Sequence, residues 1–281
     1  MPIFQAILMG LIQGLTEFLP VSSSGHLVLT SCLYKIFTGQ ELLHAGAQEA
    51  FFDIILHLGT LFAILVYFKD DIIEIIKKFI IACKDRKFDN NEAKLPLFIA
   101  LSTIFTLIVV LPIKDIVEKM LVAPIWTGVF LLITSVVLYT SEWMSKKFGN
   151  KETNITVKRS ILIGLAQGLA IFPGLSRSGM TIATGLASGL DRVTCAKYSF
   201  LLSAPIIAAA SLLYPLIEID FKQFINFDWV SIFVGFIVSA VVGYFCIKYF
   251  IKFLSKFSMN IFSYYCFIVG LAMIIGFKFF G

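Results

Sequence analysis

Charge is scarce in this chain and histidine scarcer still: 15% of the 281 residues are charged and three are His. With 58% hydrophobic residues and a mean hydropathy of +0.91, too few polar side chains remain to coat a water-soluble globule. That excludes a soluble enzyme and predicts a polytopic membrane protein. Paired metal-binding or redox cysteines are absent as well. The five cysteines, Cys32, Cys83, Cys195, Cys246 and Cys266, are odd in number and include no C-x-x-C spacing, so they read as buried small apolar residues. No Lys or Arg precedes the apolar residues 1–16 and no small-residue cleavage site follows them, so they do not read as a secretory signal. No series of segments alternates polar and apolar residues, which excludes a barrel and leaves an all-helical fold. The net charge of +5 gathers on no single face. Basic residues fall between apolar segments, which excludes a nucleic-acid binder and makes them topology markers among membrane lipids.

Charge-free runs are present at 95–113, 120–141, 198–217, 229–247 and 257–277, each close to the ~20 residues that cross a bilayer. A sixth, 54–68, reaches that length if it starts at Phe51 and includes Asp53. Helical hairpins are predicted at 4–31 and 160–189. The expected architecture is one integral domain of two repeats, about 1–145 and 155–281, each a re-entrant hairpin plus three transmembrane helices. Three spans per unit is odd, so the second repeat is expected to be inverted. Seventeen Lys and Arg fall in 69–94, 146–159, 192–197 and 248–256, against Lys35, Lys114, Lys119, Lys222 and Lys278 on the other side. The basic-rich side is expected to be cytoplasmic, with the first hairpin dipping in from outside. Residues 72–82, with Ile72, Ile73, Ile76 and Ile80 against Glu74, Lys77 and Lys78, predict an amphipathic surface helix.

The hairpins share a repeated motif, LIQGLTEFLPVSSSGH at 11–26 and LAQGLAIFPGLSRSGMT at 165–181. Each breaks at a proline, Pro20 or Pro173, which cannot continue a helix. Ser22, Ser23 or Ser24 can cap the returning half-helix in the first copy, and Ser176 or Ser178 in the second. Broken backbone at membrane depth survives only where protein or a wet cavity satisfies it, so the two tips are expected to meet. Two helix N-termini aimed at one spot make an anion site suited to phosphate. Arg177 at that depth costs ~2.5–3.5 kcal/mol on insertion scales, a cost offset by binding phosphate oxygens or pairing with Glu17. Gln13 and Glu17 share a helix face and offer oxygen ligands to a divalent cation, Mg²⁺ or Ca²⁺. His26, beside the serines, is a candidate nucleophile or acid/base group. Thr181 either offers a further hydroxyl to the phosphate or bonds back to its own helix. His57, with Asp53 one turn away, reads as a structural pair or as lining of the substrate path, and His44 as a loop residue. Trp126, Trp143 and Trp229 read as interfacial anchors.

The motifs QGLTEFLPVSSSGH at 13–26 and PGLSRSGMT at 173–181 resemble those of the undecaprenyl-diphosphatase family, the bacitracin-resistance proteins, along nearly the whole chain. The resemblance implies a multi-pass enzyme of the bacterial plasma membrane that removes the terminal phosphate of undecaprenyl diphosphate, an isoprenyl diphosphate lipid, in cell-wall synthesis. Carried over by motif, the family's functional positions are Glu17, Ser22, Ser23, His26, Ser176, Arg177, Ser178 and Thr181. Gln13 looks like a permitted variant of a Glu/Gln position, although it weakens a site that needs two carboxylates. The expected chemistry is attack on the terminal phosphorus by Ser23 or His26, or by water directly, at a site open to the extracytoplasmic side. The S-S-G-H and S-R-S fragments also resemble type-2 phosphatidic-acid phosphatases, but those need a histidine downstream of the S-R element and none follows Arg177. The competing class is a lipid-phosphate flippase or anion transporter, for which a nucleophile and an acid/base group are unnecessary. Gly185, Gly189, Gly235 and Gly243 permit close helix packing, within a subunit or in a homodimer.

Overall fold

The computed structural model describes residues 2–38, 47–121, 124–149, 152–218 and 227–280; His44 lies outside the described residues. Eleven helices occur in chain order among them: α1 (Ile3–Thr16), α2 (Ser23–Thr38), α3 (Ala47–Tyr67), α4 (Lys69–Asp85), α5 (Asn91–Leu121), α6 (Pro124–Phe148), α7 (Val157–Leu169), α8 (Arg177–Ala187), α9 (Arg192–Glu218), α10 (Trp229–Leu254) and α11 (Asn260–Phe280). The described residues hold no strand, only an isolated bridge between Glu152 and Leu190. Six helices, α3, α5, α6, α9, α10 and α11, are long and apolar enough to cross a membrane. The chain is an all-α polytopic membrane protein.

The shorter helices arise from local sequence. Pro20 and Pro173 stop α1 and α7 short, because a proline interrupts the internal backbone ladder. Helix α4 carries Ile73, Ile76, Ile80 and Ile81 exposed along one side and ends where Arg86 turns left-handed, at φ 52°. That apolar stripe beside charge suits a helix lying at a membrane surface. Cys195, Cys246 and Cys266 are buried as expected, whereas Cys83 is exposed on α4 and Cys32 half-buried on α2. A helix with one face on the bundle and one face free has no interior to offer every small residue.

Helix α10 packs between α1 and α3, α11 lies along α6, and α7 lies along α5, while α8 is held by α6, α7 and α9. Glycine permits the closest of these approaches: a Cβ on Gly164 of α7 would stand 2.4 Å from the Ser102 carbonyl oxygen of α5. Gly185, Gly235 and Gly243 face Cys195, Phe52 and Phe18 of the same chain, so their close packing serves the subunit's own interior. Around the first tip the core is aromatic, with Phe18 edge-on to Phe200 at 5.1 Å between ring centres. One charged group sits deep in the bundle away from the tips. Glu142, with no exposed surface, accepts two hydrogen bonds from Arg192, at 2.9 and 2.6 Å, and one from the Met259 N–H at 2.8 Å. It thereby ties α6, α9 and the start of α11.

Candidate active site

The two broken tips come together. At the first, α1 ends against Glu17, and Ser22 adopts a left-handed backbone at φ 70° while its Oγ accepts the Gly25 N–H at 3.2 Å. A non-glycine residue rarely holds that conformation, and such positions cluster at functional sites. At the second, Gly174 sits at φ 98°, where a Cβ would stand 2.3 Å from the Thr127 carbonyl oxygen; no other residue fits there. Thr134 of α6 pins this tip. Its hydroxyl donates to the Gly174 carbonyl at 3.0 Å and accepts the Ser176 N–H at 3.1 Å. Ser176 caps α8, its Oγ accepting the Gly179 N–H at 3.0 Å. Ser22 and Ser176 are thus the residues that fill the expected capping roles. The tips interlock through Ser178 Oγ, which donates to the Leu19 carbonyl at 2.9 Å, and through Arg177, which pairs with Glu17.

A cavity of about 370 Å³ opens beside this junction. Its polar floor is Glu17, Ser22, Ser23, Ser24 and Arg177, and its walls are Asp53, Ile54 and His57 of α3, Ile206, Ile207, Ala210 and Ser211 of α9, and Ala170, Ile171 and Leu175 of the second hairpin. Glu17, 5% exposed, is the hub. Its Oε2 accepts from Ser23 Oγ at 2.6 Å and Gln13 Nε2 at 3.0 Å, with His57 Nε2 at 3.7 Å, and its Oε1 accepts from Arg177 Nη2. Two polar atoms on the cavity's lining residues have no partner among the described residues, Arg177 Nη1 and the Ser211 hydroxyl. A buried donor left without an acceptor costs ~1–3 kcal/mol, a cost that an acceptor oxygen at this junction would relieve.

Other candidates from the sequence lie elsewhere. His26 does not line the cavity. Its Nδ1 donates to the Ser22 carbonyl at 2.8 Å, its Nε2 takes the Tyr265 hydroxyl at 2.8 Å, and its ring stacks on Tyr265 at 5.6 Å. Ser176, Ser178 and Thr181 are buried with inward-turned hydroxyls: Ser176 meets Ser178 at 3.2 Å, and Thr181 donates to the Arg177 carbonyl at 2.9 Å and meets Ser199 at 2.6 Å. Gln13 is fully buried behind Glu17. Of the two residues expected to hold a divalent cation, Gln13 keeps its amide oxygen without a partner among the described residues, and Glu17 does not keep a free oxygen. Both carboxylate oxygens already accept hydrogen bonds, one from a guanidinium, and among the described residues no three His, Cys, Asp or Glu converge as ligands.

The residues that sequence reasoning weighted too lightly are His57 and Asp53. The expected pair of side chains is instead a bond from His57 Nδ1 to the Asp53 backbone carbonyl at 2.7 Å, which frees Nε2 to face Glu17. The signal was there as two polar residues four apart in an otherwise apolar span. Ser211, Thr134 and Tyr265 carried none, since each is one small or aromatic residue among many.

Over residues 6–272 the chain matches the family described as bacitracin resistance protein BacA. It is 40% identical to a protein of Methanosphaera stadtmanae named undecaprenyl-diphosphatase, with 97% of each chain covered. Proteins of the same name from Halothermothrix orenii and Campylobacter curvus are 40% and 37% identical, with 98% of both chains covered in each case. Extending along nearly the whole chain and through both hairpin tips, this similarity makes the chain a member of the bacitracin resistance protein BacA family.

Proposed function

We propose that this protein is an undecaprenyl-diphosphate phosphatase of the bacterial plasma membrane, releasing inorganic phosphate and the monophosphate lipid at the cavity between the tips. The observation that carries this reading is the 2.6 Å hydrogen bond from Ser23 Oγ to Glu17 Oε2 at the cavity floor, a nucleophile already within reach of its base. The Ile206, Ile207 and Ala210 wall suits an isoprenyl chain, and Arg177 with the α2 and α8 N-termini suits the diphosphate.

Ser23 attacks the terminal phosphorus in line while Glu17 takes its proton. The bond to the bridging oxygen breaks, and its electron pair leaves with the lipid monophosphate. Arg177 balances charge on the equatorial oxygens, since this chemistry needs positioning and electrostatics more than covalent machinery. Ser23 is preferred to His26 because it lines the cavity, while both His26 ring nitrogens are engaged elsewhere.

We further propose that the two hairpin-plus-three-span units are inverted repeats and that the cavity opens extracytoplasmically. Supporting this, Asp53 and His57 lie toward the start of α3 and Ile206 and Ser211 toward the end of α9. Those ends are remote from the basic segments 69–94 and 192–197, which mark the cytoplasmic side. Purified Ser23→Ala protein in liposomes containing undecaprenyl diphosphate should release phosphate at least ~10³-fold more slowly than wild type. A rate within tenfold would remove Ser23 as nucleophile, and labelled lipid crossing the bilayer without hydrolysis would favour a carrier.

A further inference from the structure

Hydrolysis through Ser23 needs two proton acceptors. When Ser23 has given its proton to Glu17, that carboxyl is neutral, and the water that resolves the phosphoserine must lose its own proton to another group. The cavity wall offers one imidazole, and it is not the one next to the serines in sequence.

We propose that His57 is the general base of this second half-reaction and that His26 holds α2 against α11. The inference rests on the hydrolase reading above. His57 Nδ1 lies 2.7 Å from the Asp53 carbonyl oxygen, an acceptor only, so Nδ1 carries a hydrogen and in the neutral ring the lone pair is on Nε2. That nitrogen is 3.7 Å from Glu17 Oε2, and Ser23 Oγ is 2.6 Å from the same oxygen. Laid end to end, the two contacts put Ser23 Oγ and His57 Nε2 no more than about 6.3 Å apart, a gap that a phosphoryl group and one water fill. With its side chain 31% exposed, His57 faces the cavity rather than the bundle. The charged groups that share the cavity with it are Glu17 and Arg177 from the tips and Asp53 from its own helix, which Glu49 faces in turn; the α9 wall adds none. His26 meets neither requirement, since it is off the cavity and its Nε2 lone pair is taken by the Tyr265 hydroxyl.

Water forms a new bond to phosphorus as His57 Nε2 takes its proton. The bond from phosphorus to Ser23 Oγ breaks, and its electron pair returns to Oγ, which recovers the proton held by Glu17. Inorganic phosphate departs, and His57 releases its proton to water through the open cavity.

The test uses wild type, His57→Ala, His57→Gln and His26→Ala in liposomes with undecaprenyl diphosphate labelled in its terminal phosphate. Wild type must release label; its failure to do so would sink the hydrolase reading itself, whereas the variants bear on His57 alone. For His57→Ala we expect kcat to fall ~10²–10⁴-fold with KM changed less than ~3-fold, labelled protein to accumulate on acid quench, and added imidazole to restore at least ~10-fold. His57→Gln keeps a donor for the Asp53 carbonyl and should trap the same labelled protein. A rate within ~3-fold of wild type for either variant, a loss with neither trapped label nor imidazole rescue, or rescue of His26→Ala in its place would overturn the proposal.

Discussion

Arg177 commits Nη2 to Glu17 and leaves Nη1, beside the cavity, without an acceptor among the described residues. In the proposed reaction one planar group faces two anions at once, its own carboxylate and an incoming phosphate. A lysine, with a single point charge on a flexible stem, cannot divide itself this way. Arg177→Lys should lower kcat/KM on undecaprenyl diphosphate by ~10²–10³-fold, measured as phosphate release, while the protein still extracts as a folded species. The residue scale is also where the sequence was hardest to read. Glu17, Ser23 and Arg177 stood out because they interrupt an apolar repeat at matched positions. The histidines did not sort themselves, because adjacency along the chain favoured His26 and only the rotation of α3 about its axis turns His57 toward the tip. Tyr265, 239 residues from His26, could not have been paired with it from spacing.

At the scale of elements, the six spans, both hairpins and the α4 surface helix were legible, since length, hydropathy and the two prolines fix them before any packing is known. What could not be read was which elements buried charge would join. Glu142 near the end of α6 has three donors from two other helices, an arrangement that depends on folding alone. Removing the carboxylate leaves the Met259 N–H and the half-exposed Arg192 without their acceptor, and a buried donor left unpaired costs ~1–3 kcal/mol. Glu142→Ala should therefore lower the thermal midpoint in detergent by several degrees, with turnover per folded molecule close to wild type. A midpoint unchanged from wild type would mean that water reaches the pair. Thr134 works at the same scale, fixing the second tip to α6 by two bonds so that Arg177 starts α8 from a fixed point.

For the whole molecule, two broken hairpins pack among six long apolar helices, and their tips meet inside. The cavity between them is reached from one end of α3 and α9, while the acidic and basic surface around Glu74, Lys78 and Glu92 lies at the other end. On the proposed reading, chemistry is confined to one side of the bilayer. Protein reconstituted in one orientation in sealed vesicles should release phosphate into the compartment facing the lysine-poor end; release on the opposite side would reverse the proposed topology. A side for the cavity was legible as an expectation from the number of spans and the bias in basic residues. The cavity's shape was not, because it is made by gaps between helices and not by any one of them.

On the proposed reading, the guanidinium that meets a phosphate through Nη1 keeps a carboxylate in its grip at Nη2. An inbuilt rival of this kind weakens the hold on every anion alike, but a departing orthophosphate feels it most, having no lipid tail to keep it in place. Turnover is then protected from clogging by its own spent product.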